Sequence, residues 1–486
     1  MAAFLDREQV IIDEIFMKIR SVKNSAWKKI FYFYPMRSWV SITAADSVAF
    51  KENLLRYASQ HSRCCVLESN DWQGSRNETI AAIGMLEEIT PADHSFFVLQ
   101  EFHQEKKDWL FGYLSYDLKN QIEDLSSGNF DGVGFPQMHF FRPRFVLHLK
   151  ENSVRIGFVP GRSTEKEAKH VFQEILSQTS GQNKPGPELA VRARLSKGEY
   201  LEVLSAIKKH ISRGDIYEMN YCMEFFSENA HITPAEVFLK LNSASLAPFS
   251  AFYRREDNYL LCASPERFLK KEGASVISQP MKGTAGRGMD PREDAEIIEQ
   301  LRYNNKDQSE NVMIVDLVRN DLSRTCTGVK VDELFGIYTF RQWHQMVSTV
   351  SGEVRKDVPF TDIIRNAFPM GSMTGAPKVR AMEILAEREP FPRGFYAGAF
   401  LQHDFSGNLD SCIAIRTLSL ARGRAVLQAG AGIVADSSPR REYQEVLNKL
   451  LGLRRALALA ERLEAASGSE PSRPPSENSL AAGAAK

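Results

Sequence analysis

The chain has 486 residues, 43% hydrophobic and 25% charged, and its 61 Lys plus Arg balance 61 Asp plus Glu. That length allows two or three folding units around a large core, and the composition excludes wholesale disorder or a coiled coil. With no basic excess and no basic stretch, a nucleic-acid partner is not expected.

The first apolar run, MAAFLDREQVIIDEIF, carries charges, so no secretory leader is expected. No window approaches the ~20 apolar residues of a membrane span, so no membrane partner is expected either. Six scattered cysteines (Cys64, Cys65, Cys222, Cys262, Cys326 and Cys412) lack metal-ligand spacing. They read as reduced, mostly buried thiols, which points to a cytoplasmic protein.

Residues 1–177 mix β-like runs (Phe31–Phe33, Phe145–Leu149, Val154–Phe158) with a helical stretch at Ser163–Leu176. QTSGQNKPGPE, 178–188, is a Gly/Pro-rich connection. Beyond it Ser196 and Glu199 form a capping box, Leu201, Leu204, Ile207 and Ile211 recur at helical spacing, and Gly214 suits the stop. Strand-like and helical segments then alternate across 189–463, and the Ser/Pro/Ala/Gly-rich tail 464–486 is expected to be disordered.

NYLLCASPERFLKKEGASVISQPMKGT predicts a strand into Ser264, a hairpin turning near Glu272-Gly273 and a strand into Pro280. That fold returns Glu266 and Lys282 to one end, a proton donor beside an amine, although an ion pair on a sheet edge reads equally well. Glu293–Leu322 predicts one or two helices carrying Asp307 and Glu310 at i, i+3. GSMTGAPKVRAMEIL, from Gly371, is a Gly-rich turn entering a helix, where backbone amides favour an anion; it lacks P-loop spacing.

In LDSCIAIRTLSL, strand alternation puts Cys412, Ala414, Arg416 and Leu418 on one side. An arginine there needs an anion, from a carboxylate substrate or a structural acid. Gly430-Ala431-Gly432 reads as a turn with exposed amides. The last helix starts at Ser438-Pro439, with Ser as N-cap, and presents Glu442, Glu445 and Lys449 on one face while Leu447, Leu450 and Leu451 bury another. Facing carboxylates from two helices suit Mg²⁺, which prefers oxygen ligands. Each pattern alone also describes a solvated charged face.

In order, GDIYEMN (214–220), SPERF (264–268), PMKGTAGR (280–287), SENVMIVDLVRNDLSR (309–324), GSMTGAPKVRAME (371–383), LDSCIAIRTL (409–418), GAGIVADSSP (430–439) and EYQEVLNK (442–449) resemble the chorismate-utilising enzymes. That family includes anthranilate, aminodeoxychorismate, isochorismate and salicylate synthases. The resemblance covers roughly residues 195–455, and WLFGYLSYD (109–117) is similar to the family's N-terminal part. It implies an α+β fold, two α/β subdomains whose large antiparallel sheets pack face to face with helices outside. An N-terminal part would span 1–177 and a chorismate-binding catalytic domain 189–463.

The resemblance also implies roles. Glu310 and Glu445 would hold Mg²⁺, with Asp307 and Glu442 close by. Arg416, the amides of Gly430, Ala431 and Gly432, and Lys449 would take anionic groups of chorismate, and Thr374 would sit beside it. Glu266 would protonate the departing C4 hydroxyl. Lys282 resembles the aminodeoxychorismate synthase branch, component I, where anthranilate synthases have alanine.

In that branch the lysine adds to C2, ammonia then attacks C4, and the product serves para-aminobenzoate and folate synthesis. Ammonia would come from a separate glutamine amidotransferase subunit in a heterodimer, since none of the cysteines here has the setting of a glutaminase nucleophile. Anthranilate formation and a non-catalytic chorismate-binding role are the alternatives. For attack near pH 7.4 the Lys282 pKa should fall from about 10.4 to about 8, through burial, Mg²⁺ and Arg416, with Glu266 protonated.

Three positions depart from the family pattern. Glu218 stands where amino-transferring members have Gln, Gln345 where the family has His, and Gln402 where it has Tyr. CCVLESND (64–71) is similar to a segment of the family's tryptophan pocket, and equally to a buried strand end.

Overall fold

The computed structural model describes residues 37–70, 72, 79–126, 128–129, 131–179, 189–457 and 464–465. The β-like run Phe31–Phe33, most of the connection 178–188 and the tail beyond Ala465 lie outside the described residues.

Antiparallel strands form two layers that share the long strand Met138–Lys150. One layer runs Arg192–Ala193, Glu218–Ser227, Arg424–Ile433, Thr417–Ala421, Asn258–Ser264, Phe249–Arg255, Arg63–Glu68, Thr79–Ile89 and Met138–Lys150. The other leaves Met138–Lys150 through Leu110–Leu114, Ala399–His403, Leu409–Ile413, Arg267–Glu272, Ser275–Gln279, Trp343–Val354 and Cys326–Thr339. Each layer therefore combines a block of strands from before residue 177 with a block from after residue 189, joined edge to edge at Arg63–Glu68 with Phe249–Arg255 and at Leu110–Leu114 with Ala399–His403. Of the tail, only Glu464–Ala465 is described, as two residues parallel to Arg192–Ala193.

Side-chain alternation explains why the layers stack. Cys65, Ile80, Ala251, Tyr253 and Cys262 from one layer meet Phe111, Tyr113, Phe400 and Cys412 from the other in a common core. Tyr253 lies edge-on to Tyr113 with ring centroids 5.4 Å apart. The neighbours Cys64, Phe252 and Leu261 point the other way, into a core closed by helices Ser47–Ala58, Glu165–Leu176, Lys197–Arg213 and Pro234–Ser245. Helices Ser95–Lys106, Asn305–Ser323 and Phe360–Ala367 cover the outer side of the second layer. The α+β architecture with large antiparallel sheets is thus present. All six cysteines are free and buried, and no helix among the described residues is long and apolar enough to cross a membrane.

The local signals act as expected. Ser196 and Glu199 cap each other's backbone, Gly214 ends that helix at φ 81°, and the hairpin turns at Gly273 with φ 59°. The acidic segment splits into helices Pro291–Arg302 and Asn305–Ser323, the second capped by Asn304, whose Oδ1 accepts from the Asp307 amide. The helix Pro439–Lys449 has Ser438 at its N-cap position, but that side chain makes no cap bond.

Three expectations need correction. LDSCIAIRTLSL is two strands rather than one. Arg416 takes φ 53° between them, and this left-handed kink carries the chain from one layer into the other. Gly430-Ala431-Gly432 is no turn. It extends the strand Arg424–Ile433, held by register pairs with Cys222, Tyr221 and Asn220. Leu451 is 42% exposed, because the helix breaks at Leu450 and the next one, Leu451–Leu457, buries Leu453 instead.

Candidate active site

Strand Glu218–Ser227 begins with a carboxylate that faces Lys282 on strand Met281–Gly286. Lys282 Nζ donates to Glu218 Oε1 in a short, buried ion pair and lies 4.0 Å from Glu310 Oε2 on helix Asn305–Ser323. Gly432 touches the same cluster: a methyl group placed there would lie 3.1 Å from Glu218 Oε1, 3.2 Å from Lys282 Nζ and 3.8 Å from Glu310 Oε2. Gly283, at φ 80°, lets the strand turn against Asp307, whose Cβ would be 2.9 Å from any Cβ there. Gln345 pins that turn by donating to the Gly283 carbonyl (2.7 Å) and accepting from Thr284 Oγ1 (2.8 Å).

Charge balance here runs opposite to the expectation for Lys282. Burial draws the amine's pKa down, but Glu218 and then Glu310 outweigh it, and the amine ends above the ordinary lysine range. The free protein therefore holds an ammonium. The reason is Glu218, a full negative charge where an amide was the family expectation.

Glu266 is buried in the bend between strands Asn258–Ser264 and Arg267–Glu272. Burial pushes its carboxyl up to about 7, against the pull of a hydrogen bond from Ser372 and the charge of Lys282. Its Oε1 has no hydrogen-bond partner. A carboxyl with that pKa is substantially protonated near neutrality and can act as a general acid.

Ser372 belongs to the turn Gly371–Met373, where Thr374 is fully buried and donates to the Met370 carbonyl (3.1 Å). Gly375 follows at φ 147° and presses its backbone against strand Glu218–Ser227, where a Cβ would meet the Glu218 carbonyl at 2.2 Å. The glycine-rich turn thus serves a close backbone approach beside the site.

Acids from two helices face one another across Lys306. Glu310 and Glu442 are buried, and Lys306 stands between them, its Nζ 3.6 Å from Glu310 Oε1 and 3.5 Å from Glu442 Oε1. Burial pushes the Glu310 carboxyl up to about 7 and raises those of Asp307 and Glu442. Burial also pushes Glu445 upward, but Lys449, at 2.7 Å, more than reverses this. Lys449 also donates to the Gly430 carbonyl (2.8 Å), so the described structure spends it on Glu445 and the strand rather than leaving it open to an anion.

Among the described residues no three acidic, His or Cys groups stand close enough to hold a metal ion as they are. The donor set nonetheless suits Mg²⁺: carboxylate oxygens only, one of them, Glu310 Oε1, buried without a hydrogen-bond partner, and a lysine ammonium standing in as the cation. Lys306 is half exposed.

Arg416 completes the site from the kink between layers. Its guanidinium stacks 4.6 Å over the Trp343 ring and makes no hydrogen bond or ion pair with any described residue. Burial pulls its pKa down to about 10. Arg416 is half-buried; a desolvated cation–π contact is worth about 2 kcal/mol or more, and it leaves the guanidinium N–H groups open to an anion.

The sequence did not single out Ser372, Lys306 or Trp343, and it treated Glu218 and Gln345 only as departures. The available signal was position: Ser372 lies inside the motif that starts at Gly371, and Lys306 directly precedes Asp307. Gln402 lies elsewhere, lining a cavity between the layers with Glu68, Ser69 and Phe249.

The profile of a family described as chorismate binding enzyme matches residues 62–455. The chain belongs to the chorismate binding enzyme family. It is 41% identical over 265 residues to aminodeoxychorismate synthase component 1 of Escherichia coli, a match spanning 53% of this chain and 57% of that protein. It is 33% identical over 387 residues to the Bacillus subtilis protein of the same name, covering 76% of this chain and 82% of that one. In fold it resembles anthranilate synthase component I of Streptococcus pneumoniae, with a TM-score of 0.69 at 24% identity over 80% of this chain and 92% of that one. The site described above lies within the matched span of this chorismate binding enzyme.

Proposed function

We propose that the chain aminates chorismate at C4 to give 4-amino-4-deoxychorismate, with ammonia delivered by a separate glutaminase subunit. The observation that carries this reading is Lys282, a buried amine held against Glu218 within the cluster that Gly432 leaves open. The two relatives named aminodeoxychorismate synthase component 1 support the same reading.

In this mechanism the unpaired Arg416 takes a carboxylate of chorismate as a fork of hydrogen bonds. Glu218, already hydrogen-bonded to Lys282, accepts a proton from the ammonium. The neutral amine adds to C2, the ring double bonds shift, and the C4–O bond breaks. Glu266, kept protonated by burial, gives its proton to the leaving hydroxide, which departs as water. Ammonia then attacks C4 and the C2–N bond breaks, returning the electron pair to Lys282. Glu310 and Glu445 would hold Mg²⁺, with Asp307 and Glu442 close by. When bound, that ion supplies positive charge for a substrate carboxylate.

Incubation with chorismate, Mg²⁺ and ammonium, followed by mass spectrometry, tests the proposal. Wild type should yield 4-amino-4-deoxychorismate and Lys282→Ala none. Anthranilate with pyruvate as the wild-type product, or full activity in Lys282→Ala, would overturn it.

A further inference from the structure

The fully buried arginines among the described residues are matched by carboxylates, whereas Arg416 is half-buried. Arg37 pairs with Asp108 at 2.7 Å, Arg393 with Glu389 at 2.7 Å and Arg267 with Asp410 at 3.2 Å. Each of these pairs fixes its guanidinium and also spends the charge. Arg416 has an aromatic face instead, the Trp343 ring at 4.6 Å. A ring quadrupole attracts the cation without neutralising it or occupying its N–H groups.

The ring is itself held. Trp343 is 9% exposed, Phe340 packs against it with centroids 5.7 Å apart, and Trp72 stacks on Phe340 at 5.0 Å. Strand Trp343–Val354 pairs with Met281–Gly286, the strand of Lys282, so the platform and the amine share one rigid element.

From this geometry we infer that Trp343 is a positioning residue for substrate recognition. It locks Arg416 in a binding orientation while leaving its charge and hydrogen-bond donors available for a substrate carboxylate. The inference rests on the reading that Arg416 grips such a group, and it adds the device that makes the grip possible. A carboxylate at position 343 would hold the arginine equally well and spoil it for binding.

A double-mutant cycle tests this, with KM for chorismate and kcat measured separately for Trp343→Leu, Arg416→Ala and the pair. Trp343→Leu should raise KM about tenfold with kcat changed less than about threefold, the range of a desolvated cation–π contact. Trp343→Phe, which keeps a ring, should recover most of that loss. In the Arg416→Ala background Trp343→Leu should add little, because the group it positions is gone.

Additive effects, or Trp343→Phe as impaired as Trp343→Leu, would overturn the inference. If Trp343→Leu does not fold, the cycle is run with Trp343→Phe, where a threefold effect on KM that vanishes in Arg416→Ala is expected and an effect that persists there overturns it. An Arg416→Ala variant with unchanged KM would instead sink the reading of Arg416 itself.

Discussion

Glu218 and Lys282 come from strands 64 residues apart and meet as a buried ion pair, with the second carboxylate oxygen of Glu218 left without a partner. This pair sets the charge state of the amine. Exchanging Glu218 for Gln should let burial prevail and lower the lysine's pKa. Labelling of Lys282 by an amine-directed reagent, followed by peptide mass spectrometry across pH, should then begin at least one pH unit lower than in wild type. Turnover should nevertheless fall on the order of 100-fold, since the proton acceptor is lost. An unchanged labelling profile would mean that Glu218 does not govern the amine.

Glu266 predicts opposite effects on activity and stability. Its folded pKa of about 7 lies above the unfolded value near 4.3, so the native state binds its proton more tightly. Almost no penalty exists at pH 4; it grows as pH rises through the interval and is complete above about 7. Glu266→Gln should therefore stabilise the protein by about 3–4 kcal/mol at pH 8 and by almost nothing at pH 4. Thermal melts at the two pH values check this. The same substitution should abolish product formation from chorismate.

Much of this geometry was legible wherever the deciding interaction is local. The Ser196–Glu199 cap, the turn at Gly273 and the i, i+3 acids of helix Asn305–Ser323 each depend on a few neighbouring residues, and all three form as read. Arg416 was misread because strand alternation continues on paper through Ala414 to Leu418. In the protein the chain changes layers there, which only the pairing of Cys412 with Phe400 and of Thr417 with Cys262 reveals. The charge of Lys282 was misjudged for a similar reason. Its sign depends on Glu218, and no pattern around the lysine announces a partner from another strand. Gly430–Gly432 looked like a turn because glycine is permissive; its strand conformation comes from register with Asn220, Tyr221 and Cys222.

Lys306 competes for the place of a cation. Its Nζ is within 3.6 Å of both Glu310 Oε1 and Glu442 Oε1, so an ion gathering these carboxylates must displace it. Lys306→Met should raise Mg²⁺ affinity about tenfold or more, given the size of unit-charge interactions at such distances. In wild type, Glu310 sits near pH 7 and must lose its proton to bind the ion. Calorimetry in buffers of different ionisation heat should detect proton release at pH 6.5, and affinity should climb from pH 6 to pH 8. Affinity flat across that interval would remove Glu310 from the ligand set.

Gly432 separates a defect of the site from a defect of the fold. It lies in an ordinary strand conformation, so alanine adds no backbone strain, and the strand's pairing with Asn220 should survive. The new methyl group would press on the flexible ends of Glu218 and Lys282 at 3.1 and 3.2 Å, contacts a few tenths of an ångström too close. Both side chains must give way together, because their ion pair links them. Gly432→Ala should accordingly melt within a few degrees of wild type, a change of about 1 kcal/mol or less. Product formation should drop at least tenfold, because Lys282 is pushed from its line of attack and a displacement of about 1 Å is worth on the order of 100-fold. The decisive comparison is Gly423→Ala, at a turn with φ 73° and open space around it, which should lose stability while keeping its turnover. A Gly432→Ala variant as active as wild type would show that substrate does not enter beside this strand.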